Sequence, residues 1–276
     1  MLNPYLSVIF AAIIWGSAGV FIKYINLPPT TITFFRVFIP TIILLLFFIA
    51  RKQNIFNKYN KIILLASSLN AISYFLYFVA YAYTSITNSL IMLYTWPIFA
   101  TLLGALLLKE KVSGKNIFLL GLCFTGIILI YSNETLSFAN RDIIGMSSML
   151  LSALVYSLAI VLYKKTSENF SQFEIIFYQN LVGSIIFLPF LFINKPLPSL
   201  AQTSVAIFYA IVIGIVGYAL FFSALKRIKA SIASMLSYIE VISGILFGII
   251  FFHEVLKLNV FVGGILIIGS TLMLKK

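Results

Sequence analysis

The chain has 276 residues, of which 62% are hydrophobic and 9% are charged, and its mean hydropathy is +1.09. No soluble fold could hide this much apolar surface, so the composition excludes a soluble protein and indicates a polytopic membrane protein. A net charge of +12 would suggest nucleic acid binding in a soluble protein, but in a membrane protein the placement of the charges indicates orientation instead.

Apolar runs of membrane-spanning length predict ten transmembrane helices. The predicted fold class is therefore an all-α polytopic membrane protein with the lipid bilayer as its solvent. The first run lacks a charged n-region and is expected to be a retained helix rather than a cleaved signal peptide. The spans are expected near 5–25, 31–50, 61–82, 86–108, 115–132, 143–163, 172–193, 203–224, 230–252 and 257–274.

Spans one and three carry candidate cavity residues. In span three, Asn70, Tyr74 and Tyr77 are spaced i, i+4 and i+7, so they are predicted to lie on one face of an otherwise apolar helix. A phenol in hydrocarbon needs a hydrogen-bond partner, so these tyrosines either bond to neighbouring helices or line a polar cavity. Trp15 in span one is a further candidate.

Span four has a proline at its centre, within the stretch LYTWPIFATLLG (93–104). Proline removes a backbone donor and breaks or kinks a helix, and the freed carbonyls are tolerated only against protein or a wet cavity. The break at Pro97 is therefore either a packing kink or part of a cavity wall formed by Tyr94 and Trp96.

Span six repeats the aromatic spacing of span three, and its Tyr156 is deep enough to line the same cavity. Tyr81, Tyr83 and Tyr163 lie closer to the ends of their spans. Tyrosines at such positions commonly anchor a helix at the membrane interface, and this is the role predicted for these three.

Span nine contains the deepest acidic residue, Glu240, at about 15 Å from the end of its helix. An ionised carboxylate there is costly, so it must be paired, hydrated or protonated. One interpretation is a structural acid bonded to Tyr238 or Ser243. The other is a substrate-binding or proton-exchanging group, with Tyr238 beside it. Arg36, near the outer end of span two, is expected to extend its long stem outward rather than to contact substrate.

Lysine and arginine residues are concentrated on one side of the predicted membrane. Ten spans place both termini on the same side, where the segments carry fourteen basic residues, against four on the opposite side. By the positive-inside rule, both termini are predicted to face the cytoplasm, with the protein in the cytoplasmic (inner) membrane. The inner residues are Arg51, Lys52, Lys58, Lys61, Lys109, Lys111, Lys115, Lys164, Lys165, Lys226, Arg227, Lys229, Lys275 and Lys276, and the outer ones are Lys23, Arg141, Lys195 and Lys257.

The chain also contains an internal repeat, predicted as two halves at 1–136 and 141–276 with five spans each. Because five is odd, the second half must be inverted in the membrane, which is typical of alternating-access carriers with a substrate site near the midplane. The alignment pairs AAIIWGSAGVFIKY (11–24) with SALVYSLAIVLYKK (152–165), FFRVF (34–38) with FYQNL (177–181), and LYTWPIFATLLGALLLKE (93–110) with LSYIEVISGILFGIIFFHE (236–254). It places Lys23 over Lys164, Arg36 over Gln179, Trp96 over Glu240, Gly104 over Gly248 and Glu110 over Glu254.

The stretches WGSAGVFIK, FFR and PIFATLLGALLLKE, together with the later echo ending in FFHE, resemble the EamA branch of the drug/metabolite transporter superfamily. The resemblance covers nearly the whole chain. It implies ten helices in two inverted halves, cytoplasmic termini and a central cavity lined mainly by spans 1, 3, 4, 6, 8 and 9. Relatives commonly have Glu-Pro in span nine where this chain has Glu240-Val241, so a weaker break is expected there.

The predicted function is an alternating-access secondary transporter for a small metabolite, namely an amino acid, an amino-acid derivative or a related organic cation or zwitterion. Proton or counter-substrate coupling is left open, as are the substrate, the direction and the oligomeric state. The sequence has no HExxH, GxSxG or GxxxxGK[ST] motif and only one histidine, so no enzyme, metal, cofactor or ATP-driven pump is expected. The alternative is a flippase or exporter of a lipid-like or amphipathic drug-like molecule, which would have a lateral, lipid-open cavity without a buried charge.

Overall fold

The computed structural model describes residues 2–53, 55, 60–133, 136, 138–193 and 198–274. Within these ranges the secondary structure is helical, with eight apolar helical segments long enough to cross a membrane and two shorter ones. The expected all-α fold with ten spans is confirmed. Four residues of the predicted charge bias, Lys58, Lys195, Lys275 and Lys276, lie outside the described residues.

Six of the spans are single helices and four are interrupted. The single helices are α3 (Pro29–Ala50), α4 (Lys61–Tyr83), α7 (Gly114–Ile130), α8 (Asn140–Thr166), α9 (Gln172–Ile193) and α14 (Leu258–Leu272), which form spans two, three, five, six, seven and ten. Span one is α1 (Pro4–Gly16) and α2 (Ala18–Ile25), span four is α5 (Ile86–Leu93) and α6 (Trp96–Leu107), and span nine is α12 (Ala230–Leu236) and α13 (Ile239–Phe252). Span eight is α10 (Leu200–Tyr209), a π-helical segment (Ala210–Gly217) and α11 (Tyr218–Leu225).

Several spans begin where the sequence supplies a capping side chain. The first N–H groups of a helix have no partner within it, and an Asn or Ser oxygen can accept a hydrogen bond from one of them. Such side-chain caps start spans one, three, four, five and eight, at Asn3, Asn60, Ser85, Ser113 and Ser199. Local chemistry therefore explains these boundaries.

The helices pack in pairs that agree with two related halves. Span three packs on span six, as span one packs on span eight, while spans two and seven pair with each other, as do spans five and ten. In the last pair the backbones approach closely, because a Cβ added at Gly126 would lie 2.7 Å from the carbonyl oxygen of Gly263. Small residues allow such contacts between membrane helices. The division at 1–136 and 141–276 stays a prediction.

The breaks in spans four and nine are equally long, so the expectation of a weaker second break was wrong. Two residues separate α5 from α6, and two separate α12 from α13. Span nine breaks without a proline because its serine hydroxyls bond to the preceding turn: Ser234 Oγ donates to the Ser231 carbonyl at 3.0 Å and Ser237 Oγ donates to the Ala233 carbonyl at 3.0 Å. Such side-chain bonding to carbonyls bends helices.

The far ends of these two spans have matching backbone geometry. Lys109 and His253 both adopt a left-handed conformation, with φ of 53° and 55°. This turn brings the N–H of Glu110 to the carbonyl of Gly104 at 3.2 Å and the N–H of Glu254 to that of Gly248 at 3.4 Å. Each glutamate side chain then lies over its glycine, where a Cβ would clash or crowd it.

The two glutamates differ in their partners. The Glu110 carboxylate accepts the N–H of Ala230 at 2.9 Å, at the start of α12, and lies 3.7 Å from Lys164 Nζ. Glu254 is exposed, and its carboxylate has no hydrogen bond or ion pair among the described residues. Glu110 thus ties span four to spans six and nine at one end of the protein.

We expect Glu110→Gln to lower the free energy of unfolding by about 1.5–3 kcal/mol, the usual contribution of a hydrogen bond to a charged group. Glu254→Gln is the matched control at the equivalent position and should leave the stability nearly unchanged. The melting temperatures of the two variants in detergent provide the comparison. Equal melting temperatures for both would show that the Glu110 contacts contribute nothing to stability.

Candidate functional site

The break in span four is held by hydrogen bonds from the other half of the chain. The N–H of Ile98 turns to the Thr95 carbonyl, so the Tyr94 carbonyl loses its helical partner and instead accepts the Tyr238 hydroxyl at 2.8 Å. The Trp96 carbonyl accepts the Ser157 hydroxyl at 2.7 Å. The carbonyls at the break therefore face protein, as the membrane interior requires.

Four of the predicted aromatic residues form two pairs beside this break. The Trp96 indole packs edge-on against Tyr156, with ring centroids 5.3 Å apart, and the Tyr94 and Tyr238 rings are 6.3 Å apart. Tyr156 is half-buried, whereas Tyr238 is 0% exposed. Buried Trp96, which is 5% exposed, and the more accessible Tyr156 form an aromatic wall, while the Tyr238 hydroxyl holds the break.

The tyrosines of span three face the interior on the same side. Tyr74 and Tyr77 are half-buried, and the Tyr77 hydroxyl donates to the Tyr81 hydroxyl at 3.3 Å. Asn70 is fully buried, and its Oδ1 has no hydrogen-bond partner among the described residues. The predicted single stripe is present: Asn70 is packed against neighbouring helices, whereas Tyr74 and Tyr77 remain partly accessible.

Tyr163 is not an interfacial anchor, so that prediction was wrong. Its side chain is 0% exposed, and its hydroxyl donates to Ser67 Oγ at 3.3 Å on span three. The tight packing of spans three and six covers it. Tyr83, with 43% of its surface exposed, has the accessibility expected of an anchor.

Arg36 does not extend outward as expected. Its guanidinium donates a hydrogen bond to the Tyr74 hydroxyl, and its central carbon lies 4.5 Å from the centroid of the Tyr74 ring and 5.9 Å from that of Tyr218. Contacts of this length are cation–π interactions. Arg36 is therefore an interior residue. The feature of the sequence that could have predicted this is a charged residue within an otherwise apolar span.

The π-helical segment of span eight brings two further tyrosines to Arg36. Tyr209 and Tyr218 flank this segment; the central carbon of Arg36 lies 5.9 Å from the Tyr218 ring centroid, and the Tyr209 phenol interacts electrostatically with the arginine. On a regular α-helix, residues nine apart lie about 180° apart, on opposite faces. Only the altered winding lets both approach one side chain, so α-helical periodicity would have missed them. Such segments often occur at functional sites.

Glu240 is half-buried and faces the same interior. It interacts electrostatically with Arg36, Tyr77 and Tyr156, but its carboxylate has no hydrogen bond or ion pair among the residues that the structure describes. The interpretation of a structural acid bonded to Tyr238 or Ser243 is wrong. Tyr238 bonds to the Tyr94 carbonyl, and Ser243 Oγ donates to the backbone carbonyls of Glu240 and Ala12.

Trp15 lies at the edge of this group. Its ring centroid is 5.0 Å from that of Tyr218 and 5.1 Å from that of Phe221, and a Cβ at Gly217 would lie 2.7 Å from its Nε1. Nε1 is buried with no hydrogen-bond partner in the described part of the chain. Trp15 therefore packs behind Tyr218 and supports it, rather than standing open beside Glu240.

Known proteins similar to this chain are transporters. An uncharacterized transporter of Bacillus subtilis, YoaV, is 26% identical over 281 residues, which span 97% of this chain and 94% of that protein. The pseudopaline exporter CntI of Pseudomonas aeruginosa is 23% identical over 251 residues, spanning 91% of this chain and 87% of that protein. A solved crystal structure superposes with a TM-score of 0.86 at 16% identity, covering 97% of this chain and 94% of the other, which shows a shared fold.

A family model also matches almost the whole chain. The model describes EamA-like transporters, and it matches residues 2–132 and again residues 143–275. This agrees with the resemblance carried by the duplicated motifs. The chain therefore belongs to the EamA-like transporter family.

Proposed function

We propose that this transporter carries a small metabolite across the cytoplasmic membrane by alternating access, holding it between Glu240 and the aromatic wall of Trp96 and Tyr156. The substrate class is an amino acid, an amino-acid derivative or a related organic cation or zwitterion. The observation that carries the proposal is the Glu240 carboxylate, which is half-buried and has no hydrogen bond or ion pair among the described residues. Charges retained at membrane depth generally serve a substrate or an ion.

The remaining predicted residues fall into two groups in this proposal: those that contact substrate and those that support them. Tyr74, Tyr77 and Tyr94 belong to the same interior surface, and their rings offer apolar contact with a polar edge. Asn70 and Tyr238 are almost fully buried, and Trp15 packs behind Tyr218, so these three act by positioning the others. This separates groups proposed to touch substrate from groups proposed to support them.

A difference between the two ends of the protein supports alternating access. At the end predicted to be cytoplasmic, α12 packs against α6 and Lys229 Nζ donates to the Lys111 carbonyl at 2.6 Å. Their counterparts at the other end, α13 and α5, make no comparable contact among the described residues. Lys23 there lies 3.7 Å from the Phe252 ring centroid and not against Glu254. One sealed end and one looser end are expected of a carrier caught in an outward-facing state.

One observation favours the second candidate, a flippase or exporter of amphipathic molecules. An open groove lies between the outer parts of spans one, eight and nine, lined mostly by apolar side chains that include Val20, Phe21, Phe208 and Phe251. Glu240 does not line this groove, so a molecule entering there would leave the interior charges unexplained. Flipping of a fluorescent lipid in a dithionite-quenching assay would favour this candidate over the metabolite carrier.

We expect both termini to be cytoplasmic, because basic residues concentrate in the segments on their side. A green fluorescent protein fused after Lys276 should fluoresce, and alkaline phosphatase at the same place should be inactive. The reverse pattern would place the C-terminus outside and overturn the orientation.

We expect Trp96→Ala to weaken substrate binding about tenfold or more, because it removes the centre of an aromatic wall. A thermal-shift screen of amino acids, organic cations and drugs first identifies the ligand, and titration then compares the variants. Trp96→Phe keeps an aromatic face and should lose less.

Phe118→Ala is the control for the loss of an aromatic ring as such, because Phe118 is 65% exposed on the outside of the bundle. It should bind like the unmodified protein. Full affinity in Trp96→Ala and also in Tyr156→Ala would make both residues ordinary packing.

We expect Glu240→Gln to retain exchange between equal substrate pools and to lose accumulation driven by a pH gradient. Glutamine keeps the shape of the protonated acid but can neither gain nor lose the proton, so it removes the proposed difference between states. Uptake into proteoliposomes, with and without an imposed pH gradient, provides the measurement.

Glu168→Gln removes one acidic group from an exposed turn and should behave like the unmodified protein. If Glu240→Gln accumulated substrate as well as this control did, coupling through Glu240 would be excluded. The transporter would then be a facilitator or an exchanger.

A further inference from the structure

Arg36 has donors that its protein neighbours do not use. A guanidinium carries five N–H donors. The contacts of Arg36 are with phenols, namely the hydroxyl and ring of Tyr74, the ring of Tyr218 and the nearby Tyr209. No carboxylate lies within ion-pair distance of it among the described residues. The side chain is half-buried, so part of it remains accessible.

A permanent charge at this depth needs a reason. Burying an unpaired cation in a membrane protein is costly, and such residues usually face a cavity that serves a substrate or ion. Phenol oxygens and aromatic faces reduce the cost without cancelling the charge. The arginine therefore remains a cation that can still bind an anion.

The position of Glu240 suggests what kind of anion. Glu240 and Arg36 are close enough to interact electrostatically, yet they form no ion pair. Opposite charges that are both partly accessible but not paired with each other fit a ligand with one charge of each sign. The second half has no equivalent of this pair, because buried Gln179 occupies the position that corresponds to Arg36.

We infer that Arg36 binds the carboxylate of the transported molecule while Glu240 binds its ammonium group, so that the substrate is an amino-acid-like zwitterion and not a simple organic cation. This inference rests on the proposed carrier function and narrows it. Arginine suits the role because its planar fork matches a carboxylate through two parallel hydrogen bonds. The Tyr74 ring at 4.5 Å fixes the position of that fork.

Three compounds on one scaffold separate the two charges. L-phenylalanine carries both groups, phenethylamine lacks the carboxylate, and 3-phenylpropionate lacks the ammonium. Affinities for the purified full-length protein are measured by thermal-shift titration and calorimetry. L-leucine and isoamylamine repeat the first comparison without an aromatic ring.

Arg36→Gln should weaken the binding of L-phenylalanine and 3-phenylpropionate about 10- to 100-fold, as expected for loss of a charged hydrogen bond. It should leave phenethylamine unchanged or more tightly bound, because a repelling charge is gone. Arg36→Lys keeps the charge without the fork and should fall between these results. Glu240→Gln should give the opposite pattern, weakening phenethylamine and sparing 3-phenylpropionate.

Arg141→Gln is the matched control, since Arg141 lies at the start of span six, is exposed and donates to the Ala82 carbonyl at 3.0 Å. It should change none of the affinities. If Arg36→Gln melts normally but lowers the affinity for all compounds equally, or for none, the inference is overturned. The carrier proposal would still stand in that case if phenethylamine bound and Glu240→Gln weakened its binding. If the unmodified protein bound none of the compounds, both the inference and the proposed substrate class would be overturned.

Discussion

A carbonyl freed inside the membrane must find a hydrogen-bond donor, and this requirement organises the centre of the protein. The break in span four leaves the Tyr94 carbonyl without its helical partner, and the Tyr238 hydroxyl of span nine replaces it. Ser157 of span six donates to the next available carbonyl, that of Trp96. Three spans from both parts of the chain are thereby joined at mid-depth, so the wall beside Glu240 is held in place by backbone chemistry.

The two parts of the chain are alike where they provide structure and differ where they face the interior. The broken helices and the glutamates folded back on Gly104 and Gly248 occur twice with the same geometry. In the middle, by contrast, Trp96 stands opposite Glu240 in the alignment. A duplicated frame with unlike side chains at its centre makes the interior of the protein asymmetric.

The polar contacts at the sealed end are few and specific. Besides Glu110, Lys164 donates to the carbonyls of Leu225 and Ile228, where span eight ends. Such contacts are individually modest, since hydrogen bonds to charged groups contribute about 1.5–3 kcal/mol. Under the proposed alternating access, contacts of this strength hold one conformation while remaining within the range that ligand binding can overcome.

Hydrophobic length, proline and capping residues act locally, so the sequence by itself determined the ten spans, the break in span four just before Pro97 and the polar stripe of span three. It also identified Glu240, because a deep acid is anomalous in any arrangement of the helices. The inward direction of Arg36, the burial of Tyr163 and the meeting of Tyr209 with Tyr218 were decided only by the tertiary structure. Each depends on which neighbour a side chain meets or on a π-helical winding, and neither is encoded in the spacing of residues along one helix.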